Sequence, residues 1–85
     1  MFEIKFDKQA EHFLTKCENE VFERISGKLK TLKINPVPQD AKRLMGYNLP
    51  VFRIRIGKYR AIYRINYQEN RIIIVKIDKR DKVYD

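Results

Sequence analysis

The sequence predicts an α+β fold: an N-terminal strand, a helical hairpin, then a three-stranded antiparallel meander with the helices packed on one face of the sheet. Three observations carry this reading. Apolar residues alternate with charged ones at the N-terminus, recur at helical spacing from Ala10 to Leu32, and alternate again from Val51 onward. Asn35-Pro36-Val37-Pro38 separates the helical part from the sheet-forming part, because proline cannot donate to a helical ladder and restricts the residue before it. No other element is available to cover the apolar sheet face, so the helices must do so.

Phe2, Ile4 and Phe6 alternate with Glu3 and Lys5, the period of a strand with one buried face. Asp7 stands where a helix cap is needed, its carboxylate able to accept the first free N–H groups. Ala10, Phe13, Leu14 and Cys17 form one apolar stripe; Val21, Phe22, Ile25, Leu29 and Leu32 form a second. Between them Glu18-Asn19-Glu20 breaks the pattern, with Asn19 as the expected cap of the second helix. Gly27 weakens that helix by about 1 kcal/mol relative to alanine, which suggests close packing there. Residues 41–50 read as an irregular connector. From Val51 to Ile56 the chain alternates, with Phe52, Ile54 and Ile56 on one face and Arg53 and Arg55 on the other. Gly57-Lys58 is a two-residue hairpin turn. Tyr59, Ala61, Tyr63 and Ile65 then share the core face of the next strand, opposite Arg60, Ile62 and Arg64. After a turn at Gln68-Glu69-Asn70, Arg71 to Ile77 is apolar on both faces, as suits a central strand. The first strand is expected to pair beside the meander.

With 85 residues, the chain reads as a single domain over 1–85. A domain this small buries only roughly 60–65% of the surface its unfolded chain exposes, so its stability margin is thin. Cys17 is the sole cysteine and cannot make an internal bridge, which points to a reducing compartment. The longest apolar run, Ile72 to Val75, is far short of the roughly 20 residues of a membrane span. A soluble cytoplasmic protein is expected. The net charge of +8 suggests a polyanionic partner. That surplus is concentrated late in the chain: residues 1–50 carry nine Lys/Arg against seven Asp/Glu, residues 51–85 ten against four.

Most catalytic inventories are empty. His12 is the only histidine and reads as a surface residue, and Cys17 reads as packing. No His/Cys/carboxylate spacing suits zinc and no glycine-rich loop suits a nucleotide, so no metal and no cofactor is expected. What remains is arginine and lysine interleaved with tyrosine. Arg53 and Arg55 project from one face, and the tight turn brings Arg60 opposite or diagonal to Arg55, about 5–8 Å between Cβ atoms. No acidic residue occurs from Val51 to Arg64, so paired surface charges are a poor explanation and a phosphate-binding patch a better one. RNA can be cleaved without metal when its 2′-hydroxyl attacks the adjacent phosphorus, and the forked donors of arginine match the charge that builds on the phosphate.

The run Val51-Phe52-Arg53-Ile54-Arg55-Ile56-Gly57-Lys58-Tyr59-Arg60-Ala61-Ile62-Tyr63, preceded by Ala41-Lys42-Arg43-Leu44-Met45-Gly46 and followed by Lys79-Arg80-Asp81-Lys82-Val83-Tyr84, resembles the RelE/ParE toxin superfamily. The basic strand, the short turn and Tyr-Arg-x-x-Tyr are the hallmark, with Arg-x-x-Val-Tyr near the C-terminus. The resemblance covers nearly the whole chain. It implies a toxin of a toxin–antitoxin pair that enters the ribosomal A site and cleaves messenger RNA by 2′-hydroxyl attack, without metal. It also implies an acidic, RelB-like antitoxin that blocks the toxin in a heterotetramer or larger complex able to bind operator DNA. By position, Arg60 matches the arginine that stabilises the transition state, and Arg80 matches a second catalytic arginine that neutralises the leaving group. Tyr84 matches the tyrosine that stacks on the base or assists proton transfer. Arg53 and Arg55 occupy two basic slots where relatives often have lysine; arginine, always charged, is a poor base there. Lys79 stands where many relatives have histidine, and Lys58, Lys79 and Lys82 are candidate RNA contacts.

Two other functions use the same residues. ParE-like members share the fold, bind DNA gyrase and lack the catalytic set. A basic sheet face could also hold nucleic acid without cutting it, or belong to a toxin that has kept only antitoxin binding.

Overall fold

Two helices lie across one face of a five-stranded sheet whose order is β1-β5-β4-β3-β2. The structure, a computed structural model, describes residues 1–79. The elements are β1 Glu3–Phe6, α1 Lys8–Lys16, α2 Asn19–Thr31, β2 Lys42–Leu44, β3 Val51–Ile56, β4 Tyr59–Asn66 and β5 Arg71–Lys79. The expected α+β order holds, with one addition. Residues 42–44, read from the sequence as part of a connector, form β2, which pairs antiparallel with the outer side of β3. Three residues are too few to show a period, so only the partner strand reveals them. β1 pairs parallel with β5, so β5 is central as its apolar composition predicts.

The core is the helix-facing side of the sheet. Ile25, Leu29 and Leu32 of the second helical stripe meet Ile54, Ala61, Tyr63, Ile65, Ile72, Ile74 and Ile77. Tyr63 is fully buried, and its hydroxyl donates to the Pro36 carbonyl at 2.7 Å, tying the segment after α2 to the sheet. Phe52 stacks on it at 5.8 Å. Lys28 of α2 reaches Asp40 at 2.9 Å, and this bond holds the Asp40 carboxyl below the usual carboxylate range.

Three local expectations are corrected. Asp7 is the N-cap of α1 but makes no side-chain cap bond, so its charge acts only through the helix dipole. Glu18, not Asn19, is the N-cap of α2. Nothing lies within 4 Å of where a Cβ would stand on Gly27, so close packing does not explain that glycine. Gly57, by contrast, is needed. It has φ +60° at the first position of the β3–β4 turn, the arrangement of a hairpin turn that follows strand twist. A Cβ there would also come within 3.3 Å of Arg24 Nη1.

β5 departs from strict alternation in a way that matters for the site. Ile62 pairs with Lys76 but Tyr63 pairs with Ile74, so Val75 is an extra residue in β5. This bulge lets Ile74 and Ile77 both reach the core and returns Lys76 and Asp78 to the open face. β1 ends opposite Ile74, which leaves the far part of β5 without a neighbour strand on that side. Gln9 of α1 substitutes for one. Its Nε2 donates to the Ile77 carbonyl at 2.8 Å, and the Ile77 N–H donates to its Oε1 at 2.9 Å. Gln9→Ala orphans both groups, each costing about 1 kcal/mol or more. We expect a loss of about 1–3 kcal/mol in chemical denaturation, with the Ile77 amide losing protection from hydrogen exchange; unchanged protection would show that water replaces the side chain.

Candidate nucleic-acid site on the open sheet face

The face away from the helices is basic by construction. Alternation places Lys42 of β2, Arg53 and Arg55 of β3, Arg60 and Arg64 of β4 and Lys76 of β5 on it. Asp78 is the only acidic residue in β2 to β5. Lys42, Arg55, Arg64 and Lys76 make no ion pair with the described residues. A polyanion laid here would meet several cations that no carboxylate among the described residues pairs.

The register brings Arg55 directly opposite Arg60 across the hairpin. Directly opposed side chains stand about 4.5–5.5 Å apart at Cβ, so the two like charges spring from adjacent positions. Arg55 is exposed; Arg60 is half-buried, with its Nε atom fully so. The pair therefore sets one exposed and one half-buried guanidinium side by side on this face. Arg53 does not lie open as expected. It is on the same face, beside Lys42 of β2, but only 6% exposed. Its charge reaches Asp40 and helps Lys28 to hold that carboxyl low.

The lysines divide differently. Lys79 pairs with Tyr59 and so shares the helix-side face, where it lines a concavity with Phe13, Cys17 and Glu18; Asp78 borders the same concavity from the strand end. Lys58, in the turn, lines a neighbouring concavity with Glu20 and Arg24. The structure does not bring these two lysines to the Arg55–Arg60 pair. Arg80, Lys82 and Tyr84 lie outside the described residues. His12 is exposed on α1, and Cys17 Sγ donates to the Leu14 carbonyl at 3.5 Å. Among the described residues no group of three or more His, Cys, Asp or Glu could hold a metal ion. No helix among them is long and apolar enough to cross a membrane.

Sequence reasoning missed one member of this face. Asp78 pairs with Arg60 from the strand on its other side, so Arg60 lies between Arg55 and Asp78. No acidic residue lies near Arg60 along the chain from Val51 to Arg64, whereas this neighbour comes from β5, beyond a bulge. The Ile77-Asp78 alternation after Val75 was the available signal.

The chain matches the family model described as the ParE toxin of the type II toxin–antitoxin system parDE over residues 4–84. It is 44% identical over 59 residues to the protein named RelE1 of Methanocaldococcus jannaschii, covering 66% of this chain and 64% of that protein's length. It is similar in structure to RelE in the archaeal RelE–RelB complex of Pyrococcus horikoshii, with a TM-score of 0.83, 29% identity, and 96% and 98% of the two chains covered. The isolated RelE toxin of E. coli shares the fold, with a TM-score of 0.80 at 20% identity over 93% of this chain and 84% of that one. With its strand order, its opposed arginines and a family match spanning nearly all of its length, the chain belongs to the ParE toxin family of type II toxin–antitoxin systems, within the RelE/ParE superfamily.

Proposed function

We propose that this chain is an endoribonuclease toxin that cuts messenger RNA in the ribosomal A site without a metal ion and is silenced by an acidic antitoxin. The observation that carries the reading is the Arg55–Arg60 pair on an open, cation-rich sheet face. Its chemistry is charge stabilisation: as the 2′-oxygen attacks phosphorus, the added negative charge meets donors already in place. A face built this way binds free RNA only loosely and orients it poorly, so the ribosome supplies the alignment. The antitoxin reading draws on the net charge of +8 and on the RelB partner of the P. horikoshii relative. A groove between β1 and α2, lined by Ile4, Phe6 and Leu29 and rimmed by Lys30 and Lys33, has the apolar floor and basic edge that an acidic amphipathic segment would cover.

The test maps 5′ ends of a message on programmed ribosomes with purified toxin, with and without chelator, beside free RNA. Cuts inside the A-site codon that persist in chelator and leave a 2′,3′-cyclic phosphate are the expected result. A second reading, gyrase inhibition, is favoured by the ParE name of the matching family model. It predicts growth arrest that a gyrase mutation relieves and intact messages throughout.

A further inference from the structure

The open face carries a concavity at the end away from the Arg55–Arg60 pair. On β4, Arg64 stands four residues beyond Arg60 on the same side of the sheet, about 13 Å away. It borders an open concavity of about 630 Å³, within the size range of small-ligand sites. Three strands build the floor. Ile73 of β5 lies between Arg64 of β4 and Lys5 of β1, each directly opposite it in register. Neighbouring strands are about 4.8 Å apart, so the two cations stand about 10 Å apart with a half-buried apolar side chain between them. Leu49, 43% exposed, adds a second apolar surface from the connector before β3.

The charges around it are unevenly engaged. Arg64 is exposed and makes no ion pair with a described carboxylate. Lys5 reaches Glu3 only at 3.8 Å, and Glu3 also takes Arg71, whose guanidinium holds Glu69 at 3.2 Å. Asp7, on the rim, is exposed and in no ion pair with the described residues. This set suits a nucleotide. Its phosphate finds Arg64 and Lys5, its base lies on Ile73 and Leu49, and Asp7 accepts from a ribose hydroxyl or a base amino group. An acidic peptide fits less well, because its carboxylates would meet Asp7. Continuity chooses the strand. Lys76 lies opposite Ile62, midway between Arg60 and Arg64 along β4, so a cation borders the path between the two ends. We propose that this concavity is a second nucleotide subsite, which holds a flanking nucleotide of the same messenger strand whose cleaved phosphate lies at Arg55 and Arg60. The proposal rests on the ribonuclease reading above.

The separation gives the subsite its use. At about 3.4 Å per stacked nucleotide, 13 Å is roughly four nucleotides, and fewer when the strand is extended. A strand held at one phosphate pivots about it. A second hold some nucleotides away fixes which phosphodiester faces the arginine pair, so binding remote from the reacting bond orients it.

The experiment measures binding of the full chain to RNA oligonucleotides of three and eight nucleotides, 2′-O-methylated so that none is cut. Fluorescence anisotropy at several salt concentrations gives Kd, and circular dichroism melts check folding. Wild type is compared with Arg64→Ala, Leu49→Ser and, as a control on the helix side, Lys16→Ala. The short RNA can still occupy the arginine pair, whereas the long one spans both ends. We expect Arg64→Ala to weaken the eight-nucleotide RNA about fivefold or more and the three-nucleotide RNA less than about twofold, with the salt slope for the long RNA smaller by about 0.7. Leu49→Ser should weaken the long RNA with its slope unchanged, and Lys16→Ala should change neither. Equal effects on both lengths, or none on the long RNA, would overturn the subsite. Binding to ribosomes with and without a message identifies the strand. A loss confined to programmed ribosomes is the expected result; an equal loss on vacant ones would overturn the messenger as occupant in favour of ribosomal RNA. Weakened antitoxin binding with RNA binding intact would overturn it in favour of an acidic partner. Folded wild type that binds no RNA and cuts no message would instead remove the ribonuclease reading itself, and the subsite with it.

Discussion

Arg60→Ala is expected to lower cleavage by at least 10²-fold while leaving the melting temperature and antitoxin binding near wild type. Loss of a single donor placed for transition-state charge costs about 10²–10³. Arg60 is the better-held of the opposed pair, half-buried in mid-sheet between Arg55 and Asp78. Half-burial restricts its rotamers, so it has less freedom to lose on binding than the exposed Arg55. Arg60→Lys keeps the charge but not the fork, and should recover little. Arg55→Ala should behave differently. Arg55 is exposed, so its loss should weaken RNA binding and lessen the salt dependence by about one unit of slope, with a smaller effect on the chemical step. The measurement is single-turnover cleavage with Kd at several salt concentrations. Equal losses for the two variants would mean that the face acts as a diffuse field. No loss for Arg60→Ala would favour gyrase binding or plain nucleic-acid binding.

What could be read in the sequence follows the reach of its periodicities. β1, both helices, the Gly57 turn and the core faces of β3 and β4 have local patterns, and the structure carries them. The opposition of Arg55 and Arg60 was legible because a two-residue turn fixes register without help from the rest of the chain. β2, the Val75 bulge and the Gln9 bridge were not, since each exists only through a partner remote in sequence. Arg53 shows the same limit at a site residue. Its face was readable from alternation, but its burial was not, since burial depends on tertiary neighbours that alternation does not specify. Asp78 was hidden in the same way, since it comes beside Arg60 only by long-range pairing.

Tyr63→Ala should be the most destabilising single change in the domain. Tyr63 is 0% exposed, stacks on Phe52 and lies opposite Ile74, where the β5 bulge resumes the regular ladder. Truncating a buried aromatic costs about 3–5 kcal/mol. Here the Pro36 carbonyl also loses its donor. At roughly 0.05–0.15 kcal/mol per residue, a chain of this size has about 4–13 kcal/mol in total, so this one change should remove a third or more of the margin. Tyr63→Phe isolates the hydroxyl and should cost about 1–2 kcal/mol at neutral pH. It should also change the alkaline limb of stability. Burial, followed by the charges of Asp40 and Tyr67, pushes the Tyr63 hydroxyl well above the usual tyrosine range. A group raised in the folded state holds its proton when the unfolded chain has released it. The stabilisation it gives is therefore complete below about pH 10 and falls by up to about 1.4 kcal/mol per pH unit above that. Urea denaturation from pH 8 to 11 should show a steep decline in wild type and a shallower one in Tyr63→Phe. Parallel declines would mean that the hydroxyl reaches solvent before global unfolding, and that the Pro36 bond is not what closes this side of the core.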